Sequence, residues 1–492
     1  MKPKANFPIL QLSEGPLNDQ VYEAIRGAIL DGRLKANMKL PSSRTLAEMM
    51  LVSRNTILSG IERLMDEGYI ITKAGSGTYV CAFVPEKKIN CQAPIQQMIQ
   101  QYKAPKLSDG LQNLMPRWEQ YHGAAKQNRM FSVGIGCVDL FPQQIWGRIL
   151  GRIWRHSQAE LAKYSDVQGY LPLREALAQY MRSTRGLNCS LDQIMIVNGT
   201  QQAINLTSRA LLNAGDGILI DDPGYDGALG VFQSYGMKTH GIASDEEGML
   251  IPELMDRKED VRLVYTAPSH QFPLGGTLSL PRRLMLLDWA KQKDAWIFED
   301  DYNGEFRYHS RAIQALQGLD QAGRVIYSGT FSKMFYPGFR LAFLVLPQAL
   351  IEPFKVMKHY ADSCNSYLEQ AALAAFIQEG EYAKYVRKVR KACLERQQAL
   401  VNAIEQYLSH ILTIQPSDSG IHAVAWLKDG RDVKQIMAIS KSLGLGIQPL
   451  YRYSMEPLQK HALLFGYAAH KPAEITEKIR QLAEAIKHSY VD

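Results

Sequence analysis

The chain has 492 residues, 46% hydrophobic and 21% charged, with a formal net charge of +7. At roughly 100–200 residues per domain this is chain for about three domains with sizeable cores, and so ordinary a composition excludes wholesale disorder and collagen-like or coiled-coil architectures. No apolar run approaches the ~18–20 residues that span a membrane, and Met1 to Leu10 lacks the apolar stretch and cleavage site of a secretory leader, so a cytoplasmic protein with no membrane partner is expected.

The positive charge is unevenly placed. Residues 1–130 hold 17 Lys+Arg and 11 Asp+Glu, so nearly all the excess lies in the first quarter of the chain. That asymmetry points to a polyanionic partner for this quarter. Its elements follow in order. Leu17–Leu30 has apolar residues at 17, 21, 25, 28 and 29, a helical period. In the stretch 40–50, Ser42 or Ser43 can cap a short helix, and Ser53 can cap a longer one whose buried stripe is Ile57, Ile61, Leu64 and Met65. Gly68 is a C-terminal stop, and 69–80 reads as two short strands around Gly-Ser-Gly. Three helices and a hairpin are the order of a winged helix-turn-helix, whose third helix enters the major groove N-terminus first. Ser53, Arg54, Asn55 and Thr56 then face bases or phosphates of double-stranded operator DNA, with Arg44 and the wing residue Lys73 beside them. The strings LPSSRTLA, SRNTI, LxxEGYI and GSGTYV resemble the GntR-type winged helix over about 65 residues.

The stretch 83–130 loses periodicity and collects prolines and glutamines. It is expected to link a domain at 1–82 to one at 131–492, with one short helical piece near 94–102. The six cysteines, at 81, 91, 137, 189, 364 and 393, form no Cys-x-x-Cys pair, so free or buried thiols and no metal site are expected.

From Phe131 onward, strands at 191–197, 217–221, 262–266, 295–299 and 324–327 alternate with helical stretches such as 281–293, which predicts an α/β domain with a mostly parallel sheet. Ligands of such sheets bind at the carboxyl ends of the strands. Gly199-Thr200-Gln201 opens a helix there, where free N–H groups favour an anion. Asp300 and Tyr302, two apart, face the same side. Lys333 and Arg340 follow the strand at 324–327 in a Ser/Thr-rich loop. Pyridoxal 5'-phosphate needs a lysine for a Schiff base, an acid at the ring nitrogen and a cradle for its phosphate. Lys333, Asp300 and the group Thr200, Thr330 and Arg340 supply one of each.

The strings YSDVQGYLPLR (164–174), DDPGY (221–225), PSHQFPLG (268–275), EDDYNGEFRY (299–308) and SGTFSKMFYPGFR (328–340) resemble the fold-type I aminotransferases, and most closely the MocR subgroup of regulators, which fuse that domain to a GntR-type winged helix. With the N-terminal module the resemblance covers about nine-tenths of the chain. It implies that Lys333 forms the Schiff base, Asp300 pairs with the pyridinium nitrogen, Tyr302 hydrogen-bonds the phenolic oxygen, and Tyr225 stacks on the ring. It further implies that Gly199, Thr200, Gln201, Thr330 and Arg340 hold the phosphate and that Arg452 grips an effector carboxylate. One departure stands out. Phe272 precedes Pro273 where transaminases carry asparagine, which weighs against efficient transamination; His270 and Gln271 are the candidates to compensate.

The expectation is therefore a homodimeric, pyridoxal phosphate-dependent transcriptional regulator. Its signal is an amino compound (an amino acid, or a GABA- or taurine-like molecule) or the cofactor itself. The alternatives are an active aminotransferase with an accessory DNA-binding domain, and a regulator whose large domain is only a dimerisation scaffold.

Overall fold

The computed structural model describes residue 8 and residues 15–82, 105–122, 129–161, 163–255, 260–308, 313–428 and 432–489. The helical piece expected near 94–102 and Cys91 lie outside them. The chain divides into two compact units, Met1–Lys106 and Leu107–Asp492.

In the first unit, α1 (Leu17–Leu30), α2 (Ser43–Met50) and α3 (Arg54–Asp66) precede a hairpin of β1 (Ile70–Lys73) and β2 (Gly77–Val80). Ser42 and Ser53 cap α2 and α3, accepting from the Thr45 and Thr56 amides at 3.2 and 3.1 Å. Each cap satisfies one of the orphan donors of a helix start and is worth ~1 kcal/mol. Gly68 leaves the third helix at φ +79°, a conformation that costs a glycine little. Val21, Ile25, Leu46, Ile57 and Leu64 form the centre of the core, each fully buried. Two expected core residues are not there. Leu17 is 52% exposed, because it begins α1 before the helix reaches its partner. Met65 is 37% exposed, turned toward the hairpin, where its sulfur accepts from the Thr72 hydroxyl.

The second unit opens with α4 (Asp109–His122), inside the stretch expected to be linker. It packs on the helix Asp226–Ser234, and a Cβ at Gly110 would lie 2.1 Å from the Ser234 carbonyl oxygen there. Next come α5 (Gln143–His156) and α6 (Leu171–Arg185). The central sheet follows: β3 (Ile194–Val197), β4 (Gly217–Asp222), β5 (Lys238–Asp245), β6 (Gly248–Met249), β7 (Val261–Thr266), β8 (Trp296–Asp301), β9 (Val325–Thr330) and β10 (Ala342–Val345). The strands lie in the order β3-β10-β9-β8-β7-β4-β5-β6, with β9-β8-β7-β4-β5 parallel throughout. Three helices between strands bear on the site: α7 (Thr200–Leu211), α8 (Asp226–Ser234) and α9 (Leu280–Lys293). Leu191–Gln193, expected in the first strand, is instead a 3-10 turn, because the Gln193 side chain reaches back to the Ser190 amide at 2.9 Å.

Strand alternation splits the apolar residues between two faces. Ile218, Ile220, Leu263 and Phe298 pack with Ile204 of α7 and Phe232 of α8. Leu219, Val264 and Ile297 pack with Leu286 and Trp289 of α9. Beyond the sheet, α10 (Ile351–Asp362), α11 (Tyr367–Gln378) and the 27-residue α12 (Glu381–Tyr407) lead to a second, antiparallel sheet: β11 (Leu412–Ile414), β12 (His422–Leu427), β13 (Gln448–Pro449) and β14 (Ala462–Gly466). No helix among the described residues is long and apolar enough to cross a membrane.

Candidate functional site

The first unit presents its polar residues to solvent. Arg44, Ser53, Arg54, Asn55 and Lys73 are exposed, and Thr56 is half-buried. Ser53 and Thr56 spend their hydroxyls on each other at 2.8 Å and on the cap, so they fix the start of α3. Arg54 reaches back to the Ser43 hydroxyl at 3.3 Å, tying the starts of α2 and α3. In the wing, Lys73 and Lys39 lie over the Tyr79 ring, 5.2 and 5.8 Å from its centroid. Lys39 is a basic residue that no local motif of the chain singles out. It stands far from Tyr79 in the chain and meets it through a single bridge to β2.

In the second unit the predicted residues collect at the carboxyl ends of β3, β4, β8 and β9. Gly199 is the N-terminal boundary of α7, with φ +114° and no side-chain cap. A Cβ there would lie 2.8 Å from the Arg340 guanidinium, so only glycine lets the arginine close over the helix start. Gln201 donates to the Tyr225 hydroxyl at 3.0 Å. Thr330, at the end of β9, accepts from the Ser332 amide at 3.2 Å. Lys333 donates to the Gly134 carbonyl at 3.1 Å, a contact across 199 residues.

Asp300, 4% exposed, accepts from the Tyr265 hydroxyl at 2.6 Å through one oxygen, while the other has no partner. Burial pushes its carboxyl up to about 7; the Tyr265 hydrogen bond and Lys333 pull it back, and Asp301 adds to the rise. The Tyr302 hydroxyl and the Ser328 and Ser332 hydroxyls are likewise buried without hydrogen bonds. Unmade hydrogen bonds of this kind cost ~1–3 kcal/mol each. Tyr302 follows Asp300 by two residues, Ser328 stands opposite it on β9 and Ser332 precedes Lys333, which marks a place built to be completed by a polar molecule. Tyr265, Ser328 and Ser332 escaped the sequence reading. The two serines sit inside the SGTFSK string already singled out, whereas Tyr265 carries no local signal.

Phe272 stands edge-on to Tyr225, Tyr302, His422 and Tyr453, with ring centroids 5.0–6.2 Å apart. An apolar ring thus fills the position expected to hold an amide. Gln271 does not replace that amide, because it is committed to the Pro223 carbonyl and the Leu274 amide. His270 faces Ser419 at 2.8 Å through Nδ1, and its Nε2 has no partner. Arg452 lies over the ring of Tyr453 at 5.8 Å, and the Tyr453 carbonyl accepts from the Gly224 amide at 2.9 Å, so its segment adjoins the Tyr225 loop.

A winged helix and a fold-type I aminotransferase domain with a lysine-centred polar site are the class that this architecture defines. The comparisons agree. Residues 17–80 match the model of bacterial regulatory proteins of the gntR family, and residues 141–479 match that of aminotransferase class I and II. The chain is 34% identical to the probable rhizopine catabolism regulatory protein MocR of Rhizobium meliloti over 470 residues, covering 96% of this chain and 94% of that one. It is 26% identical to the pyridoxine biosynthesis transcriptional regulator PdxR of Corynebacterium glutamicum, over 98% and 99% of the two chains. Among solved structures, a Pyrococcus horikoshii kynurenine aminotransferase superposes with a TM-score of 0.69 at 28% identity, covering 80% of this chain and 99% of that one. The chain belongs to the MocR-type helix-turn-helix transcriptional regulators, a GntR-type DNA-binding module joined to an aminotransferase class I/II domain. That helix-turn-helix family implies DNA binding, and the aminotransferase family typically binds pyridoxal phosphate.

Proposed function

We propose that this regulator holds pyridoxal 5'-phosphate in the second unit and uses it to sense an amino compound, or the cofactor itself, while Arg44, Ser53, Arg54, Asn55, Thr56 and Lys73 meet operator DNA. The observation that carries the reading is the group of unsatisfied buried atoms around Lys333: Asp300 Oδ1 and the hydroxyls of Tyr302, Ser328 and Ser332. Their chemistry fits the cofactor, with a carboxyl for the ring nitrogen, a phenol for the ring oxygen and hydroxyls for the phosphate. When bound, pyridoxal phosphate supplies an aldehyde carbon to which an amine can attach. Lys333 would carry it. Asp300 would hold the proton of its ring nitrogen, and Tyr225 would flank the ring. Gly199, Thr200, Gln201, Thr330 and Arg340 would hold the phosphate, with the α7 amides adding the pull of a helix N-terminus. Arg452 would take an effector carboxylate, for which a planar fork is suited. A dimer suits paired half-sites on DNA.

The test uses the purified full chain. Added pyridoxal phosphate should produce the visible absorption band of a lysine-bound cofactor, and Lys333→Ala should abolish it while leaving the circular dichroism unchanged. A wild type that stays colourless after reconstitution overturns the cofactor reading. Comparing apo and loaded protein on one operator, with and without candidate amines, then separates the two signals. Arg452→Ala should keep the colour and basal DNA affinity and lose only the response to the amine. A response that survives this change assigns the signal to cofactor occupancy or the carboxylate to another cation.

A further inference from the structure

The second unit encloses another polar cavity, of about 160 Å³, which the Lys333 site does not use. Its walls come from three places: Tyr180 and Arg185 on α6, Glu305, Arg307 and Tyr308 after β8, and Arg390 on α12. None of these residues belongs to the set around Lys333. Alternation along β8 sends Asp300 toward that set and Asp301 to the opposite side, where Asp301 meets Arg185 at 2.5 Å.

Three guanidinium groups therefore line one cavity, and one of them keeps a buried donor without a hydrogen bond. Arg185 is 4% exposed; it binds Asp301 and the Ser269 hydroxyl, but its Nη1 is buried without a hydrogen bond. Arg307 donates to the Ser269 carbonyl and the Thr277 hydroxyl, each at 3.4 Å, and has a carboxylate, Asp418, at 3.9 Å. Arg390 donates to the backbone carbonyl of Glu305 and makes no ion pair among the described residues. The one acid in the wall, Glu305, receives the Tyr382 hydroxyl at 3.3 Å, and burial works against its charge. A buried guanidinium donor left without an acceptor is costly unless an anion completes it, and a planar fork of donors matches an oxyanion. At roughly 30 Å³ per water, the volume is about five waters' worth, enough for a small anion and too little for a nucleotide.

We propose that this cavity is a second ligand site, for a small free oxyanion such as inorganic phosphate or a short dicarboxylate, held by Arg185, Arg307 and Arg390. Tyr308 is tied to the 418–420 loop before β12, its amide donating to the Asp418 carbonyl and its hydroxyl to that of Gly420. Arg390 belongs to α12. An anion in the cavity thus joins the end of β8 to the helix and loop that lead into the second sheet.

The test is calorimetric titration of the full chain at constant ionic strength, with inorganic phosphate in one arm and succinate in the other against a chloride background. Saturable binding of either supports the site, and the stronger arm names the source. Arg390→Gln should weaken that binding about ten-fold or more, as loss of a charge-assisted fork requires. Glu305→Gln, which removes the competing carboxylate, should tighten it several-fold. Opposite signs from two neighbouring changes are not what a merely structural role produces. Should Arg390→Gln not fold, Arg390→Lys keeps the charge without the fork and should weaken binding less, and Glu305→Gln still tests the site. Phosphate also has the start of α7 as a possible landing place, but neither Arg390 nor Glu305 lies there. Binding indifferent to both changes, or no saturable binding in either arm, overturns the proposal.

Discussion

The two units build their sites in opposite ways. In the winged helix the candidate contacts lie within one stretch, 44–73, and all but Thr56 are exposed. Their supports are local: a serine cap three residues away and an arginine reaching back eleven. In the larger unit the candidate set runs from Gly134 to Arg452, all of it but Arg340 is buried or half-buried, and several polar atoms lack partners. A surface that meets a polyanion from solvent needs only charge and shape, since the phosphates come to it. A site that encloses a small molecule must desolvate its own polar groups beforehand and recover that cost when the ligand arrives. Changes in the large unit should therefore act on occupancy by the small molecule, and changes in the winged helix on affinity for DNA.

The largest increment short of Lys333→Ala is expected at Gly199. Alanine there must hold φ near +114° and place its methyl 2.8 Å from the Arg340 guanidinium. The strained backbone costs ~1–3 kcal/mol, while the exposed arginine can swing away, so the protein should fold. Pyridoxal phosphate, titrated by its absorption, should then bind about ten-fold or more weaker. Unchanged binding would show that Arg340 and the start of α7 do not hold the phosphate together.

This contrast also decides what the sequence made legible. The winged helix could be read because its determinants are contiguous: a cap, a period and a Gly-rich turn fix three helices and a hairpin. The Lys333 and Asp300 positions were legible because each sits in a string at a strand end. Tyr265, which hydrogen-bonds Asp300 from 35 residues away, was not, and neither was the Gly134 carbonyl that receives Lys333. Those partners are set by strand order, with β7 beside β8, which no local pattern encodes. The second sheet was missed for the same reason: β13 is two residues long and gains its pairing only from β14. The 83–130 stretch hid α4, since a proline and a polar surround mask its period.

A middle-sized effect is expected from the buried histidines beside the site. Burial lowers His270 to about 3 and His422 to about 4. As pH falls below ~6.5, the unfolded chain takes up protons at both that the folded chain refuses. The stability they contribute is thus complete above that value and is lost as pH falls toward the folded values. At ~1.4 kcal/mol per unit, each histidine forfeits about 2 kcal/mol between pH 6.5 and 5. Asp300, Glu299 and Asp221 are pushed up to about 7, 7 and 6 by burial and act with the opposite sign over part of this range. The measurement is therefore the difference between denaturation profiles of wild type and His270→Asn, whose loss on acidification should be shallower by about one proton. Parallel profiles would mean that His270 is hydrated in the folded protein.

The effects expected in the winged helix divide by kind. Arg54 stands at the first position of α3, braced on Ser43, where a guanidinium reaches base edges. Arg54→Ala should cost ~1–3 kcal/mol on the operator and little on unrelated DNA. Lys73 ends β1 in the wing with its ammonium over the Tyr79 ring, a position that offers a phosphate a point charge and a base nothing specific. Lys73→Ala should therefore weaken operator and non-operator DNA alike and reduce the slope of log affinity against log salt by about one. Measuring both variants on both DNAs at several salt concentrations checks the assignment, because only a base contact discriminates between sequences and only a phosphate contact is purely a salt effect. If Lys73→Ala changed the preference for the operator and left the salt slope alone, the wing rather than α3 would be reading sequence.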